Sequence, residues 1–428
     1  MRKLNIAIIG LGNIGSYLFK YLNDNKKILT EKNNCLPLVK YVSAKNKKRK
    51  RKIKIKKNQW LKNYLDATKI KEIDLIVELI GGAEGPAKKL VFNALKNKKH
   101  VVTANKALIA KYGDELSKIA EKNKVNLEFE ASVCGGVPII RSLKEGLIAN
   151  KISKIYGIFN GTSNYILSSM DKHKKNFNDV LINAKKLGYA ESNPSADLNG
   201  DDVSSKLKIL SSLCFNSFLN DNIYVEGIKG IDKTDIDNAN KLGYKIKLLG
   251  FAEQLKNTIY QRVHPTLIHK DSYVASIDGV LNAVIINGKP VGQSTIQGEG
   301  AGPAATTSAL ISDISSILRG NIKFPFSISN KERKKLKFEN INERFFSAYL
   351  RFEVIDKPGI LSNITNIFSK NKVSIKRLVQ TPDKNKKSSS IVIITHNSKD
   401  KFLKKTLNEV ARKNYVKHKP KLIRIDDN

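Results

Sequence analysis

The chain has 428 residues, with 77 Lys and Arg against 39 Asp and Glu, and a formal net charge of +38. That length suits about two to four domains, and 41% hydrophobic residues suffice for ordinary globular cores. Cys35, Cys134 and Cys214 are widely spaced and odd in number, which indicates neither a disulfide framework nor a zinc site and fits a reducing, cytoplasmic home, and no run of about 18 apolar residues marks a membrane span.

In chain order, the apolar run 4–9 (LNIAII) ends in Gly10-Leu11-Gly12-Asn13-Ile14-Gly15, after which Ile14, Leu18, Tyr21 and Leu22 recur at helical spacing. The pattern is strand, GxGxxG turn and helix. Its glycines allow a tight turn and close approach to a pyrophosphate, which the helix N-terminus stabilises. Gly10, Gly12, Asn13, Ile14 and Gly15 are therefore candidate cofactor contacts. A second strand, 38–43, runs into Ala44, Lys45 and a series of lysines and arginines. An acid here would bind a ribose 2′-hydroxyl, whereas cations suit a 2′-phosphate. The run favours NADP over NAD, with Lys45 as the candidate contact; it also reads as a solvated loop or a small nucleic-acid patch.

Strands follow at 74–80, 100–103 and 127–131, with a helix at 86–97. This alternation predicts an open, mostly parallel α/β sheet. Functional groups then belong at the carboxyl ends of its strands, where Thr103, Lys106 and the segment 130–137 fall. From about residue 150 a second sheet is predicted, with strands 152–157, 226–228, 258–263 and 283–286. Helices are expected at 163–171, 177–187, 201–215 and 234–249. The glycine-rich turn 298–302 (GEGAG) precedes a helix at 304–318.

The segment 188–206, GYAESNPSADLNGDDVSSK, reverses the chain's charge. It holds Glu191, Asp197, Asp201 and Asp202 with a single base, Lys206. Asp202 and Lys206 stand at i, i+4 and share a helix face. A carboxylate beside a lysine amine can anchor an ammonium and move a proton; the same residues also read as a capped, solvated helix start. Residues 327–344 form a polar linker. Strand 346–354, the turn Asp356-Lys357-Pro358-Gly359, helix 359–370, strands 373–380 and 390–396, helix 399–413 and strand 420–425 complete a small separate βαββαβ domain. The lysines are spread along helices that also carry apolar stripes. The charge therefore reads as solvated surface, with no specific nucleic-acid partner and no membrane contact.

GLGNIG, ELIGG, VVTANKAL, FEASVCGGVPII, FNGTSNYIL, the segment 188–206, RVHPTLI and QGEGAG, in this order, resemble homoserine dehydrogenase of the long form with a C-terminal ACT domain. The resemblance covers nearly the whole chain. It implies a Rossmann-type nucleotide-binding domain at 1–136, with helix 304–318 packing back on it. An α+β catalytic and dimerisation domain at 137–326, the linker and a ferredoxin-like ACT domain at 345–428 follow. It also implies reversible NAD(P)H-dependent reduction of L-aspartate 4-semialdehyde to L-homoserine in threonine and methionine synthesis.

By the same resemblance, Lys206 is the proton donor, Lys106 a second lysine near nicotinamide and substrate, and Asp202 part of the catalytic group. Glu191, Asp197 and Asp202 hold the amino-acid end of the substrate, and Gly188 and Gly302 contact the cofactor. Glu130, Val133, Gly135 and Val137 bind a monovalent cation, usually sodium. Asp356 and Gly359 belong to an effector site for threonine, and the subunits form a homodimer or homotetramer. Another dehydrogenase of the same plan, or a non-catalytic nucleotide and amino-acid sensor, are the competing readings. A nucleophilic Cys134 is a further alternative, disfavoured because a small buried cysteine is commoner.

Overall fold

The computed structural model describes residues 1–383 and 387–426. Strands β1 (Arg2–Ile9), β2 (Cys35–Ser43), β3 (Leu75–Glu78), β4 (His100–Thr103) and β5 (Leu127–Glu128) form one sheet in the order β2-β1-β3-β4-β5. Every pairing in it is parallel. The sheet is apolar on both faces because helices cover both. From β1, Ile6 and Ile8 enter a core with Leu18, Leu22, Leu310 and Ile314, while Ala7 and Ile9 enter another with Leu90 and Ala94. The late helix Pro303–Leu318 packs on the first sheet.

The strand order turns back between β1 and β3, which opens a crevice at their carboxyl ends. The glycine turn lies there, and its spacing is steric. A Cβ on Gly10 would stand 2.3 Å from the Leu79 carbonyl oxygen, and one on Gly15 would stand 2.0 Å from that of Gly10. A Cβ on Gly12 would meet only open space, so its absence leaves room for a ligand rather than for the protein.

Two sequence expectations need correction here. The strand expected at 127–131 is only Leu127–Glu128, because the chain then curls into a short 3-10 helix, Glu130–Ser132. The helix expected at 234–249 spans Lys233–Lys241 and ends before Gly243, whose φ of +85° terminates it. Tyr244–Leu255 is a strand.

The second sheet runs Gly292–Glu299, Leu281–Lys289, Lys151–Ile158, Tyr244–Leu255, Thr258–His269, Lys421–Asp426, Phe345–Ile355, Ser388–Thr395 and Ile375–Asp383. Gly292–Glu299 was not expected, and the expected strand 226–228 is instead the pair Tyr224–Val225. The C-terminal segment has the predicted βαββαβ order. It is not set apart, however, because Lys421–Asp426 pairs in parallel with Thr258–His269, with Arg424 opposite Thr266. Along that same edge, Tyr224–Val225 pairs at Arg262 and Val263, and Lys337–Phe338 pairs at Thr258 and Ile259. Among the described residues, no helix is long and apolar enough to cross a membrane.

The segment read as a linker is also held down. Arg333 is buried, and its guanidinium donates to Asp114 at 2.7 Å, the Ser217 carbonyl at 2.8 Å and the Ser212 hydroxyl at 2.9 Å. It also covers the rings of Phe326 and Phe218. Arg333→Ala should lower the unfolding free energy by about 3 kcal/mol, the cost of breaking a buried charged network. Urea denaturation measures it, and a loss under about 1 kcal/mol would mean the segment is a loose tether.

Candidate functional site

The carboxyl ends of β3 and β4 are stitched together by side chains. Glu78 accepts the backbone N–H groups of Ile80 at 2.7 Å and Gly81 at 3.0 Å, and the Thr103 hydroxyl at 2.6 Å. The Thr103 hydroxyl accepts the Asn105 N–H at 3.0 Å, and the Asn105 side chain donates to the Gly82 carbonyl at 2.8 Å. Asn105 also caps the helix Lys106–Asn123 by accepting the Leu108 N–H at 3.1 Å. Lys106 is therefore the first residue of a helix whose start is fixed to two strand ends.

From the other side comes the helix Asp201–Cys214, which buries Asp202 and Lys206. Its i, i+4 pair is closed, with Lys206 Nζ 2.7 Å from Asp202 Oδ2, and Lys206 also donates to the Phe159 carbonyl at 2.6 Å. Lys106 Nζ lies 2.7 Å from the other oxygen, Oδ1. One carboxylate thus joins lysines from both parts of the chain. Burial opposes ionisation of Asp202, but the ammoniums of Lys206 and Lys106 outweigh it and hold the carboxyl below the usual range. Burial likewise works against the Lys206 ammonium, and the Asp202 carboxylate overrides it, raising the lysine above its ordinary value.

Asn160 completes the cluster and was not singled out from the sequence. Its side-chain N–H₂ donates to Asp197 Oδ1 at 2.7 Å and to Asp202 Oδ2 at 2.8 Å, while its oxygen accepts the Ser163 N–H at 2.7 Å. It is the N-cap of helix Gly161–His173, a role that the FNGTSN motif could have signalled. Burial raises the Asp197 carboxyl above its usual value, against the pull of the Asn160 amide. Glu191 is exposed, in the turn before helix Ser195–Asn199, and takes no part in this hydrogen-bonded cluster.

Beside the glycine turn is a cleft of about 450 Å³ lined by Gly12, Asn13, Ser16, Arg49, Arg51 and Pro303 among others. Gly10 and Gly15 shape the turn behind it, and Ile14 packs into the core below. Lys45 does not line this cleft. Arg51 does, and its Nε donates to the Leu11 carbonyl at 3.0 Å; Arg49 reaches Asn13 Oδ1 at 3.5 Å. Gly302 caps helix Pro303–Leu318 with φ +109°, and Gly188 follows helix Phe177–Lys186 with φ +76°. A Cβ on either would meet nothing within 4 Å.

The segment 130–137 packs against the late glycine turn, since the Gly136 N–H donates to the Glu299 carbonyl at 2.9 Å and a Cβ on Gly135 would stand 2.5 Å from the Gly300 oxygen. Both carboxylate oxygens of Glu130 accept backbone N–H groups, from Ile140 at 2.9 Å and Arg141 at 2.6 Å. Burial pushes this carboxyl up to about 7. Cys134 and Gly135 have φ of +56° and +48°, so the backbone is bent between Val133 and Val137. The Val137 carbonyl accepts the Ile139 N–H at 2.8 Å and the Cys134 carbonyl accepts the Val137 N–H at 2.9 Å. In the C-terminal segment, Asp356 and Gly359 line a second cleft of about 450 Å³ with Lys357, Leu361 and Gln380.

Three family descriptions match the chain: "Homoserine dehydrogenase, NAD binding domain" over residues 10–130, "Homoserine dehydrogenase" over 138–315 and "ACT domain" over 348–412. Homoserine dehydrogenase of Neisseria gonorrhoeae is 37% identical over 433 residues, covering 100% of this chain and 99% of that protein. That of Helicobacter pylori is 37% identical over 427 residues, covering 100% of both. The crystal structure of a homoserine dehydrogenase from Thiobacillus denitrificans superposes with a TM-score of 0.91 at 36% identity, covering 100% of this chain and 99% of that one.

Cys134 sits beside this site without the properties of a nucleophile. It is buried, and burial pushes its thiol up to about 11. The native protein at pH 8 should leave Cys134 unmodified by iodoacetamide, while unfolding should release all three buried thiols for alkylation. Stoichiometric labelling of native Cys134, read by peptide mass spectrometry, would restore the thiol mechanism.

Proposed function

We propose a mechanism on the premise that this chain belongs to the homoserine dehydrogenase family, shown by full-length identity to curated members. The protein is an NAD(P)-dependent oxidoreductase. Its reaction, on this reading, is reversible reduction of L-aspartate 4-semialdehyde to L-homoserine. The observation that carries the mechanism is the single buried carboxylate of Asp202 between Lys106 and Lys206.

The nicotinamide cofactor, when bound, supplies the hydride for reduction. Gly10, Gly12, Asn13, Ile14 and Gly15 would hold its pyrophosphate, with Thr103, Lys106, Gly188 and Gly302 completing its surroundings. Arg49 and Arg51, rather than Lys45, line the cleft where a 2′-phosphate would sit, which supports NADP as the working cofactor. As hydride reaches the aldehyde carbon, negative charge builds on the oxygen. Lys206 donates its proton there, and Lys106 stabilises the developing alkoxide. Asp202 keeps Lys206 protonated until that moment. Asp197, Asp202 and Glu191 hold the substrate ammonium by charge-assisted hydrogen bonds, and Asn160 positions the first two.

The carbonyls of Val133, Gly135 and Val137, with Glu130, would hold sodium and brace the turn beside Gly300. The cleft at Asp356 and Gly359 would take threonine as a feedback effector. Residues 1–136, 137–326 and 345–428 act as cofactor, catalytic and regulatory portions of a homodimer or homotetramer.

Homoserine-dependent reduction of NADP and NAD by the purified protein, in sodium or choline buffer and with or without threonine, tests these assignments together. NADP should be preferred, sodium should activate and threonine should inhibit; indifference to any one removes that assignment. Lys206→Ala should cut kcat by about a thousandfold with folding retained. Asn160→Ala should weaken homoserine binding from a higher pH downwards. The sign follows because the Asn160 amide lowers the Asp197 carboxyl, so its loss raises that group further and protonation starts at higher pH. Full turnover in Lys206→Ala, or an unmoved acid limb of kcat/KM in Asn160→Ala, would sink the respective role.

A further inference from the structure

The C-terminal strand reaches towards the substrate end of the site through one buried side chain. Arg424 is almost fully buried, and its guanidinium bridges two segments. It forms a two-point contact with Asp400, at 2.7 Å and 3.3 Å, within its own portion of the chain. It also donates to Glu226 Oε2 at 3.1 Å and the Tyr224 hydroxyl at 3.2 Å, and the same Glu226 oxygen accepts the Tyr224 hydroxyl at 3.1 Å. Arg424 further covers the Tyr224 ring at 5.0 Å. The fork geometry of arginine serves both carboxylates from one planar group, which a lysine could not reproduce.

What Arg424 holds is the seat of the catalytic helix. The segment after Tyr224 is pinned on its other side to the turn that carries Asp197 and starts helix Asp201–Cys214. The Ile228 N–H donates to the Leu198 carbonyl of that turn at 2.8 Å, while the Glu226 N–H donates to the Val263 carbonyl of the strand Thr258–His269 at 2.7 Å. The contact is too close for any side chain between them: a Cβ on Gly227 would stand 2.1 Å from the Leu198 oxygen, and one on Gly200 would stand 3.1 Å from Val225. Displacing Glu226 therefore moves Leu198, Asn199 and Gly200, with Asp197 just before them and Asp202 just after.

We infer that Arg424 is a positioning residue for the dehydrogenase reaction, acting through Glu226 and Tyr224 to hold the turn between Asp197 and Asp202 in register with Lys106. The C-terminal portion so acquires a direct mechanical hold on the ammonium-binding end of the site, independent of any effector. The substrate contacts rest on the function proposed above; the strut itself does not.

The test uses the full-length enzyme and the variants Arg424→Met, Glu226→Ala and the double variant. The Glu226 side chain is 41% exposed, so Glu226→Ala keeps the fold if Arg424→Met does not. Either single variant should raise the homoserine KM about fivefold or more while the NADP KM stays within about twofold. The double variant should be no worse than the more affected single one, because both cut the same strut. Hydrogen–deuterium exchange should quicken at residues 197–206 in each folded variant, a readout that needs no turnover. Unchanged exchange at 197–206 in folded Glu226→Ala would overturn the strut, as would fully additive KM effects. A parent that fails to turn over homoserine, with variants that still show the quickened exchange, would overturn the proposed reaction and leave the strut standing.

Discussion

Everything else at this site depends on one buried carboxylate with two ammonium partners. Taking Asp202 out of water costs several kcal/mol, and its position is tenable only because each oxygen meets a lysine and Oδ2 also accepts from Asn160. Those partners come from distant places. Lys106 starts the helix after β4, Lys206 lies one turn along from Asp202, and Asn160 caps the helix after Lys151–Ile158. The ion triad therefore requires the parallel sheet and the second sheet to meet in one register. Breaking it leaves an uncompensated buried charge as well as an altered site, so stability and site geometry are linked at this point.

The two lysines are not equivalent. Lys206 is enclosed and fixed by the Phe159 carbonyl and Asp202, while the Lys106 side chain is 42% exposed towards the crevice. A buried ammonium whose affinity for its proton is raised by an adjacent carboxylate is a strong holder of that proton until a stronger base appears. A nascent alkoxide is such a base, whereas an aldehyde oxygen is not. On the proposed mechanism, proton transfer from Lys206 would follow charge build-up on the aldehyde oxygen in the direction of reduction. For oxidation, a substrate ammonium taking up part of the Asp202 charge would loosen the proton on Lys206.

Local patterns carried much of this architecture, and the rest lay in contacts between distant residues. The glycine turn, the Asp202–Lys206 pair and the strand-end position of Lys106 are each readable within a few residues, because spacing alone puts them on one face or at one strand end. Asn160 is different: its cap role is local, but its bonds to Asp197 and Asp202 cross about forty residues and no periodicity reports them. Gly292–Glu299 was missed because its alternation is between exposed and half-buried residues, without a fully buried face. Tyr244–Leu255 was partly read as helix because its unbroken buried run from Ile246 to Ala252 suits a buried helix as well as a strand. The basic run pointed to Lys45 because strand-end arithmetic stops there. The loop folds back instead, and Arg51 closes on the Leu11 carbonyl.

The shared sheet changes what the C-terminal portion can do. A module tethered by a loose linker acts through its own surface, but this one continues the hydrogen-bond ladder of Thr258–His269. That strand carries three segments on one edge, Lys337–Phe338, Tyr224–Val225 and Lys421–Asp426. Its other edge is filled by twelve paired residues of Tyr244–Leu255. A ladder paired on both sides resists sliding, since slipping by one residue would turn buried side chains outward. The two short elements on that edge, Lys337–Phe338 and Tyr224–Val225, have two paired residues each. Of these, Tyr224–Val225 leads into the segment that touches the start of helix Asp201–Cys214 and is gripped by Arg424. A weakly laddered pair, fixed by side chains rather than by backbone, is where this fold would convert a change at one end of the sheet into a change at Asp202.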